Sequence, residues 1–256
     1  MLDESARLTL ARTRFADVRW YDEVDSTNRV AAGLVRQGAD EGLVVVADYQ
    51  TAGRGRRDRL WEAPRGSSLL MSVVLRMSPP GGVHIVTGAV ALAAVAACEE
   101  VAGVAPLIKW PNDLVVNRGK LGGILGEVVG GVAIVGLGLN VNWEGVGRPP
   151  PPGIALDELA GAPVDRAALL VALLRRLDER WAETTAVRDA EVLNEYRARS
   201  ATVGHEVRVD LGSHTVEGRA VDITPDGRLV VEAANESRRA IAGGDVVHVR
   251  PIQSGC

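Results

Sequence analysis

Residues 107–140, LIKWPNDLVVNRGKLGGILGEVVGGVAIVGLGLN, decide the fold of this chain. They contain four apolar runs, which are Leu107-Ile108, Leu114 to Val116, Ile124 to Val129 and Val132 to Leu139. Turn-forming residues separate the runs, namely Pro111-Asn112-Asp113, Asn117-Arg118-Gly119 and Gly130-Gly131. Short apolar runs joined by such turns are typical of antiparallel hairpins. This part of the sequence therefore predicts an antiparallel meander.

The flanking sequence adds strands and helices to the meander. Leu43 to Ala47 and Leu69 to Leu75 are continuous apolar runs, as in strands covered on both faces. Spacing and capping residues predict helices after Asp25, from His84 to Val101 with an end at Gly103, after Asp165, and from about Asp189 to Arg199. We therefore expect an α+β domain over residues 1–200, with a mixed or antiparallel sheet flanked by helices.

A second region begins near Thr202, where short alternating strands replace the longer elements. These strands are Val207 to Val209, Val216 to Ile223, Leu229 to Val231 and Val246 to Val249, and turns rich in glycine and aspartate separate them. The pattern predicts a small β-barrel domain over residues 201–256. Within the first domain, Arg148 to Gly153 is rich in proline and predicts a stiff surface connection.

The amino-acid composition limits the classes of protein to which the chain can belong. With 46% apolar and 24% charged residues, the chain resembles ordinary globular proteins, and its net charge of -4 argues against a dedicated nucleic-acid binder. The most apolar stretch, Ile85 to Ala97, is shorter than the roughly 20 residues of a membrane span, so it predicts a buried helix. Cys98 and Cys256 lack redox or metal-binding spacing, and the first residues lack a secretory pattern. A cytoplasmic location is expected.

A glycine- and arginine-rich loop is the first candidate for chemistry. Residues 53–59, GRGRRDR, place four arginines around two glycines between two predicted strands. Glycine permits close backbone approach, and guanidinium groups donate paired hydrogen bonds to carboxylate or phosphate oxygens. The loop therefore predicts an anion clamp, with a solvated basic loop as the alternative.

Three further stretches carry polar residues at the ends of strands. Residues 109–113, KWPND, present an amide and a carboxylate after a proline-fixed turn. Lys120, in residues 119–125, GKLGGIL, stands where a turn becomes a buried strand. Residues 136–142, GLGLNVN, leave strand backbone open to a flat ring, although they lack the context of a dinucleotide fingerprint. Taken singly, such stretches are more often plain turns or strands than parts of a site.

Taken together and in this order, the four stretches resemble biotin protein ligases from about Asp25 to Asn142. The combination of the arginine loop, KWPND and KLGGIL is specific to that family. The resemblance implies a catalytic domain related to class II aminoacyl-tRNA synthetases and lipoate ligases, followed by an SH3-like barrel. It also implies an enzyme that activates biotin with ATP and joins it to a lysine of a biotin carboxyl carrier protein, as in biotin–[acetyl-CoA-carboxylase] ligases.

The resemblance also implies roles for individual residues. Residues expected to bind biotin are Ser26, Thr27, Asn28, Gln50, Arg54, Gly55, Arg56 and Lys120. Residues expected to bind ATP or the adenylate are Arg54, Arg56, Trp61, Asn112, Lys120 and Asn140. The expected catalytic residues are Arg56 and Lys120, which would offset the repulsion between two anions, and Asp113, which would orient or accept a proton from the acceptor amine. Capping its own turn is the alternative role for Asp113.

Magnesium is expected to accompany ATP, since it bridges and neutralises phosphate oxygens, although the sequence offers no dedicated metal cage and no metal ligand is assigned. Two positions depart from the family pattern. Asp58 stands where glycine is common and is expected to pair with Arg57 or Arg59, and Gly122 replaces a more usual alanine.

Two rival interpretations remain, and a third is not expected. One is a lipoate or octanoate ligase of the same fold, and another is a biotin-binding module without catalysis. Some biotin ligases also repress transcription through an N-terminal DNA-binding domain, but only about twenty residues precede Trp20, so we expect a monofunctional enzyme without specific DNA binding. We expect no membrane contact and a monomer or weak homodimer.

Overall fold

The computed structural model describes residues 2–77, 82–117, 119–150, 152–181 and 185–248, with backbone alone at positions 58, 185 and 186. The main sheet contains β1 (Val18–Tyr21), β2 (Val44–Ala47), β3 (Ser68–Arg76), β4 (Leu107–Lys109), β5 (Asp113–Val116), β6 (Gly119–Val129) and β7 (Val132–Asn140). Its strand order is β1-β2-β3-β7-β6-β5-β4. β1 and β2 are parallel and all other neighbours are antiparallel. The predicted mixed sheet and the meander from β4 to β7 are confirmed.

Helices cover both faces of this sheet. They are α1 (Glu4–Leu10), α2 (Thr27–Arg36), α3 (Gly82–Ala102), α4 (Leu156–Ala160), α5 (Arg166–Trp181) and α6 (Thr185–Ala198). α2 packs on β2, β3 and β7 from one side, and α3 packs on β6 and β7 from the other side, with α5 and α6 against it. The sheet therefore has two hydrophobic layers, which is why its central strands contain few polar residues.

β2 shows how the two layers determine the sequence pattern. Val44 and Val46 are fully buried in the large core under α3 and α5. Val45, on the opposite face, is fully buried in the smaller core under α2. Because successive side chains point to opposite faces, a strand covered on both sides must be apolar at every position. The prediction made from the continuous run Leu43 to Ala47 is confirmed.

α3 is the central helix of the large core. It ends before Gly103, whose φ of +65° is the left-handed conformation common after a helix. By length and composition alone this helix could cross a membrane, but 67% of its most apolar window is buried inside the molecule. Cys98 lies within it, and burial raises the pKa of this thiol to about 12. α3 is therefore the predicted core helix, and Cys98 belongs to the core.

Several elements differ from the sequence predictions. α6 begins at Thr185, four residues earlier than the predicted start near Asp189. The sequence patterns did not predict α1, β1 or α4. β1 lies at the edge of the sheet and its residues are only half-buried, so hydrogen bonding to β2 and not apolar patterning defines it.

The C-terminal sheet has five strands within residues 202–248, the part of this region that the structure describes. They are β8 (Glu206–Asp210), β9 (Thr215–Ile223), β10 (Leu229–Glu232), β11 (Arg238–Ile241) and β12 (Asp245–His248). The order is β11-β10-β9-β8-β12 and the pairing is antiparallel throughout. The predicted C-terminal β domain is confirmed as an antiparallel sheet, and its closure into a small barrel stays a prediction. Val249 and Cys256 lie outside the described residues.

The C-terminal sheet packs directly against the segment that joins β4 to β5. Trp110 is 1% exposed, and its indole Nε1 donates to the carbonyl oxygen of Gly227 at 2.9 Å. A Cβ on Gly227 would lie 2.1 Å from the ring of His84 on α3, so the turn fits against that helix only as glycine. The predicted domain boundary after residue 200 falls between α6 and β8. The position of residues 110–113 therefore depends on both sheets.

Candidate functional site

A cavity of about 300 Å³ lies beneath the arginine loop, between the start of α2 and the glycine-rich parts of β6 and β7. It is the place where the four sequence stretches converge. All but one of the predicted site residues line it, namely Ser26, Thr27, Asn28, Gln50, Arg54, Gly55, Arg56, Trp61, Asn112, Asp113 and Lys120. Arg56 and Lys120, which the sequence analysis placed at one reaction centre, share this cavity.

Asn140 is the exception. Its side chain is 4% exposed, and its amide nitrogen donates to the backbone oxygen of Lys120 at 3.3 Å and to that of Ile154 at 3.0 Å. It therefore ties β6 to the chain that follows β7, next to Lys120. Its contacts in this structure are with backbone, and the predicted contact with adenine stays a prediction.

The polar end of the cavity is built at the first turn of α2. The helix N-cap is Ser26, but its hydroxyl makes no capping hydrogen bond. Gln50 caps the helix N-terminus instead. Its Oε1 accepts from the backbone N–H of Thr27 at 2.8 Å and from the Thr27 hydroxyl at 3.1 Å. With Oε1 held in this way, the amide nitrogen of Gln50 is oriented as a donor beside the cavity.

A flat floor of glycines lies opposite a tryptophan. Gly123 on β6 and Gly138 on β7 are cross-strand partners. A Cβ on Gly138 would lie 2.4 Å from the Trp61 ring, and one on Gly123 would lie 3.2 Å from it. Since a Cβ contact under 3.0 Å forces a shift, the position of this ring requires glycine at 138. The sequence analysis expected the open backbone of residues 136–142 to admit a flat ring. In this structure the Trp61 ring lies against that backbone.

The indole nitrogen of Trp61 is buried and has no hydrogen-bond partner within the described residues. A buried donor without an acceptor costs on the order of 1–3 kcal/mol. Unsatisfied groups of this kind concentrate at functional sites, where a ligand or a movement supplies the partner. This observation fits the prediction that Trp61 contacts the adenylate.

Three of the four loop arginines are paired with carboxylates. Arg54 donates to Glu127 on β6 at 2.9 Å, and Arg57 donates to Asp245 at the start of β12 at 3.3 Å. Arg59 also pairs with Asp245. The predicted partner of Arg57 and Arg59 was Asp58, whose side chain lies outside the described residues. The loop is thus attached at one end to the main sheet and at the other to the C-terminal sheet.

Arg56 has a different environment from its neighbours. Its guanidinium contacts Asn112 Oδ1 at 3.4 Å, and no salt bridge to a carboxylate is found for it in the described part of the chain. Burial, followed by repulsion from Arg57, lowers the pKa of the Arg56 guanidinium. An arginine stays protonated even when burial disfavours its charge. Arg56 is therefore a half-buried cation at the cavity with an incomplete set of partners, which is what an anion-binding group requires.

Lys120 and Asp113 form the second charged group of the cavity. Lys120 Nζ lies 2.7 Å from Asp113 Oδ1, and it lies 5.5 Å from the centre of the Trp61 ring. The two side chains are 36% and 26% exposed, so the ion pair is only partly removed from water. Pairs with this exposure stabilise a protein by roughly 1 kcal/mol or less, and an incoming anion can separate them. In this structure the Asp113 carboxylate contacts Lys120, and the choice between the proton-accepting role and the turn-capping alternative stays a prediction.

Three residues that support the site were missed by sequence reasoning. Ser72 lies in β3 with no exposed surface and donates to Asn28 Oδ1 at 2.6 Å. Glu127 accepts from both Asn28 and Arg54, and Asp245 holds two loop arginines. A polar residue inside an apolar strand, as at Ser72 and Glu127, was a usable signal. Asp245 gave no such signal, because its contact spans 186 residues to Arg59.

Two family models match the chain. The Biotin/lipoate A/B protein ligase family matches residues 20–142, and the Biotin protein ligase C terminal domain matches residues 202–249. The first range contains every predicted site residue. The second contains all five C-terminal strands in full, with Asp245 at the start of β12.

Individual relatives extend this similarity over most of the chain. The chain is 35% identical over 235 residues to the biotin–[acetyl-CoA-carboxylase] ligase of Mycobacterium tuberculosis, covering 89% of this chain and 87% of the relative. It is 33% identical over 241 residues to the protein of the same name from Paracoccus denitrificans, covering 87% and 96%. The structure of a biotin protein ligase from Aquifex aeolicus in complex with biotin and ATP superposes with a TM-score of 0.78 at 27% identity, covering 92% of this chain and all of that one.

Proposed function

Because the chain belongs to the biotin protein ligase family, we propose that it joins biotin to a protein lysine in two steps. In the first, biotin and ATP form biotinyl-5'-AMP and pyrophosphate. In the second, the biotinyl group passes to the ε-amine of one lysine on a biotin carboxyl carrier domain of an acyl-CoA carboxylase. The observation that carries the proposal is the single cavity that contains Arg56, Lys120 and the polar end at Thr27.

The first step brings two anions together. An oxygen of the biotin carboxylate attacks the α-phosphorus of ATP, and the bond from that phosphorus to pyrophosphate breaks, with the electron pair leaving on pyrophosphate. Cations fixed beside the reacting oxygens offset the repulsion and stabilise the charge of the transition state. Arg56 serves this role because it is a half-buried cation whose one hydrogen-bond partner among the described residues is Asn112 Oδ1 at 3.4 Å.

Lys120 joins this step by exchanging partners. In the ligand-free chain its ammonium pairs with Asp113 at 2.7 Å. When a carboxylate and an α-phosphate enter the cavity, the ammonium moves to them, since they carry more negative charge than one aspartate. The exchange leaves the Asp113 carboxylate without its cation.

The free Asp113 carboxylate is then suited to the second step. The acceptor amine must lose a proton as its nitrogen attacks the carbonyl carbon of the mixed anhydride, and the bond to AMP breaks with the electron pair leaving on AMP. Asp113 orients the amine and accepts from it, and the proton passes onward to water. The same side chain that partners Lys120 in the resting enzyme thus assists the incoming lysine once Lys120 is engaged.

Magnesium is part of the proposal as a companion of ATP. Among the described residues, no group of three or more histidine, cysteine, aspartate or glutamate side chains could hold a metal ion. The carboxylates that line the cavity, Asp113 and Asp245, both pair with cations. These donors do not form a protein cage for magnesium, so the ion would enter bound to the nucleotide phosphates, and no step is assigned to it here.

The biotinyl-adenylate must be protected from water until the acceptor arrives. The arginine loop lies over the cavity and is attached through Glu127 on one side and Asp245 on the other. These ion pairs are exposed enough to open and close at low energetic cost, which suits a loop that must admit ligands and then cover them. We further propose that the enzyme works in the cytoplasm as a monomer or weak homodimer.

The test is ATP–pyrophosphate exchange with biotin, lipoic acid and octanoic acid, followed by mass measurement of a purified carrier domain. We expect exchange with biotin and a carrier domain heavier by one biotinyl group. Exchange driven by lipoic or octanoic acid instead would replace the proposed substrate. Binding of biotin without exchange or labelling would show a binding module and would overturn the enzymatic proposal.

A further inference from the structure

Glu127 on β6 lies behind the cavity wall and contacts two of the residues that line it. Its Oε2 accepts from Asn28 Nδ2 at 2.6 Å, and its Oε1 accepts from Arg54 at 2.9 Å. We infer that Glu127 is a positioning residue that fixes the Asn28 amide with its oxygen towards the ligand. Through Asn28 it selects an acid that carries an N–H donor at this end. The inference rests on the proposed function, since it deepens the choice of substrate.

The donors and acceptors around Asn28 allow one orientation of its amide. A carboxylate only accepts hydrogen bonds, so the NH₂ group of Asn28 must face Glu127. The second hydrogen of that group points to the backbone oxygen of Leu125 at 3.4 Å. On the other side, Ser72 donates to Asn28 Oδ1 at 2.6 Å. Both hydrogens of the amide are therefore occupied, and Oδ1 keeps one lone pair beyond that used by Ser72.

Burial makes this orientation firm. Asn28 is 4% exposed and Ser72 has no exposed surface, so water does not compensate a reversed amide. A reversed amide would place its oxygen 2.6 Å from a carboxylate oxygen, in a setting where repulsion between acceptors is strong. Asn28 Oδ1 fits here because residue 136 is glycine. Any side chain at that position would place its Cβ only 2.4 Å from Oδ1. Without Glu127, the two orientations become closer in energy.

The oriented oxygen matters for the chemical class of ligand. A hydrogen-bond acceptor at the polar end of the cavity favours binding of an acid whose head group has an N–H donor, as the ureido ring of biotin has. Lipoic and octanoic acids have no such donor and would leave Asn28 Oδ1 unsatisfied. A site built to hydrogen-bond one substrate rejects analogues that lack the partner because buried polar groups are left unpaired. Glu127 would thereby contribute to discrimination without touching the ligand.

Two substitutions of Glu127 distinguish its effect on the orientation of Asn28 from its effect on the charge beside Arg54. Glu127→Ala removes the acceptor of both residues. Glu127→Gln can place its own Oε1 where Oε2 lies, so it still accepts from Asn28 but no longer neutralises Arg54. Glu232 is a matched control, because it is 30% exposed, close to the 32% of Glu127, and pairs with Arg238 on the C-terminal sheet.

The experiment is calorimetric titration of the full-length variants with biotin and with ATP, together with melting temperatures. We expect Glu127→Ala to bind biotin about three- to tenfold more weakly, the range given by one hydrogen bond, while Glu127→Gln and Glu232→Ala stay near the wild type. ATP affinity reports on Arg54, so it should change alike in Glu127→Ala and Glu127→Gln, which both remove the carboxylate that pairs with Arg54, and stay unchanged in Glu232→Ala. The ratio of pyrophosphate exchange with biotin to exchange with lipoic acid should fall in Glu127→Ala by a similar factor.

The biotin affinities of these variants can contradict either the inference or the proposed function. If Glu127→Ala binds biotin like the wild type, or if Glu127→Gln loses as much affinity as Glu127→Ala, the orientation of Asn28 is not the cause and the inference fails. A wild type that binds no biotin would instead overturn the proposed function.

A second pair of variants serves if Glu127→Ala does not fold. Asn28→Asp faces one carboxylate with another and should lose biotin. Asn28→Asp combined with Glu127→Gln restores a donor opposite an acceptor and should recover binding relative to Asn28→Asp alone. No recovery would overturn the inference.

Discussion

Replacing Gly138 by alanine tests the glycine floor of the cavity. The new Cβ would lie 2.4 Å from Trp61 Cε2, 2.7 Å from Nε1 and 2.8 Å from Cζ2. Ordinary contact distances begin near 3.4 Å, so a rigid ring must move by about an ångström or β7 must shift. Overpacking of this kind costs about 1–3 kcal/mol. For a chain of this size we expect a melting temperature lower by roughly 2–10 °C.

The same displacement should change ligand binding. A moved Trp61 ring loses its place over Gly138 and near Lys120, so calorimetry should show weaker binding of ATP or of the adenylate than in the wild type. Combining Gly138→Ala with Trp61→Leu removes the ring that the methyl group meets. The coupling energy between the two substitutions should be about 0.5–3 kcal/mol, with the double variant more stable than the sum of the single effects predicts.

Gly33→Ala is the matched control for Gly138→Ala. Gly33 lies inside α2, and a Cβ there would meet nothing within 4 Å. Alanine at that position should leave stability unchanged or raise it by up to about 1 kcal/mol through helix propensity. If Gly138→Ala melts and binds as the wild type does, or if its effect persists unchanged in the Trp61→Leu background, the contact between ring and floor is not what constrains the site.

Three further changes test the charged groups. Lys120→Ala should slow ATP–pyrophosphate exchange by about 10²–10³-fold, and an unaltered rate would remove Lys120 from the first step. Arg56→Gly should release biotinyl-adenylate, which mass spectrometry would detect as labelling of bystander lysines; equal labelling by the wild type would contradict its role. Burial lowers the pKa of His84 to about 4, so the folded state excludes a proton that the unfolded chain binds below about 6.5. Stability should therefore fall as the pH drops from 6.5 to 4, and urea titrations of His84→Gln should show a smaller fall.

The parts of the fold that could be predicted are those whose burial imposes a pattern. β2 and β3 are covered on both faces, so their sequences are apolar throughout and the strands were predicted. β11 contains Arg238 and Arg239, lies at the end of its sheet and has only Ile241 buried. Its pairing with β10 defines it as a strand, and backbone pairing leaves little trace in a single sequence.

The candidate site also has one part that the sequence predicts and one part that it does not. The lining residues belong to local motifs whose turn residues and charges are visible in the sequence, and the structure brings them to one cavity. The supporting contacts are long-range, as between Asn28 and Glu127 across 99 positions. Such pairings depend on the order of strands in the sheet, and spacing along the chain does not encode that order. Sequence therefore predicted the groups that line the cavity more completely than the groups that orient them.

The separate partners of the loop arginines explain how one basic loop can hold its shape and still keep one arginine for the anions that we propose it binds. Arg54, Arg57 and Arg59 are between 38% and 66% exposed, and their ion pairs contribute little individual stability. They fix the path of the loop between two sheets while leaving it able to open. Arg56, more deeply buried, has no such carboxylate within the described ranges, so its charge is directed to the cavity. Neutralising Asp245 should therefore loosen the loop while Arg56 stays at the cavity, whereas adding a carboxylate beside Arg56 should abolish the anion binding proposed for it while the loop stays in place.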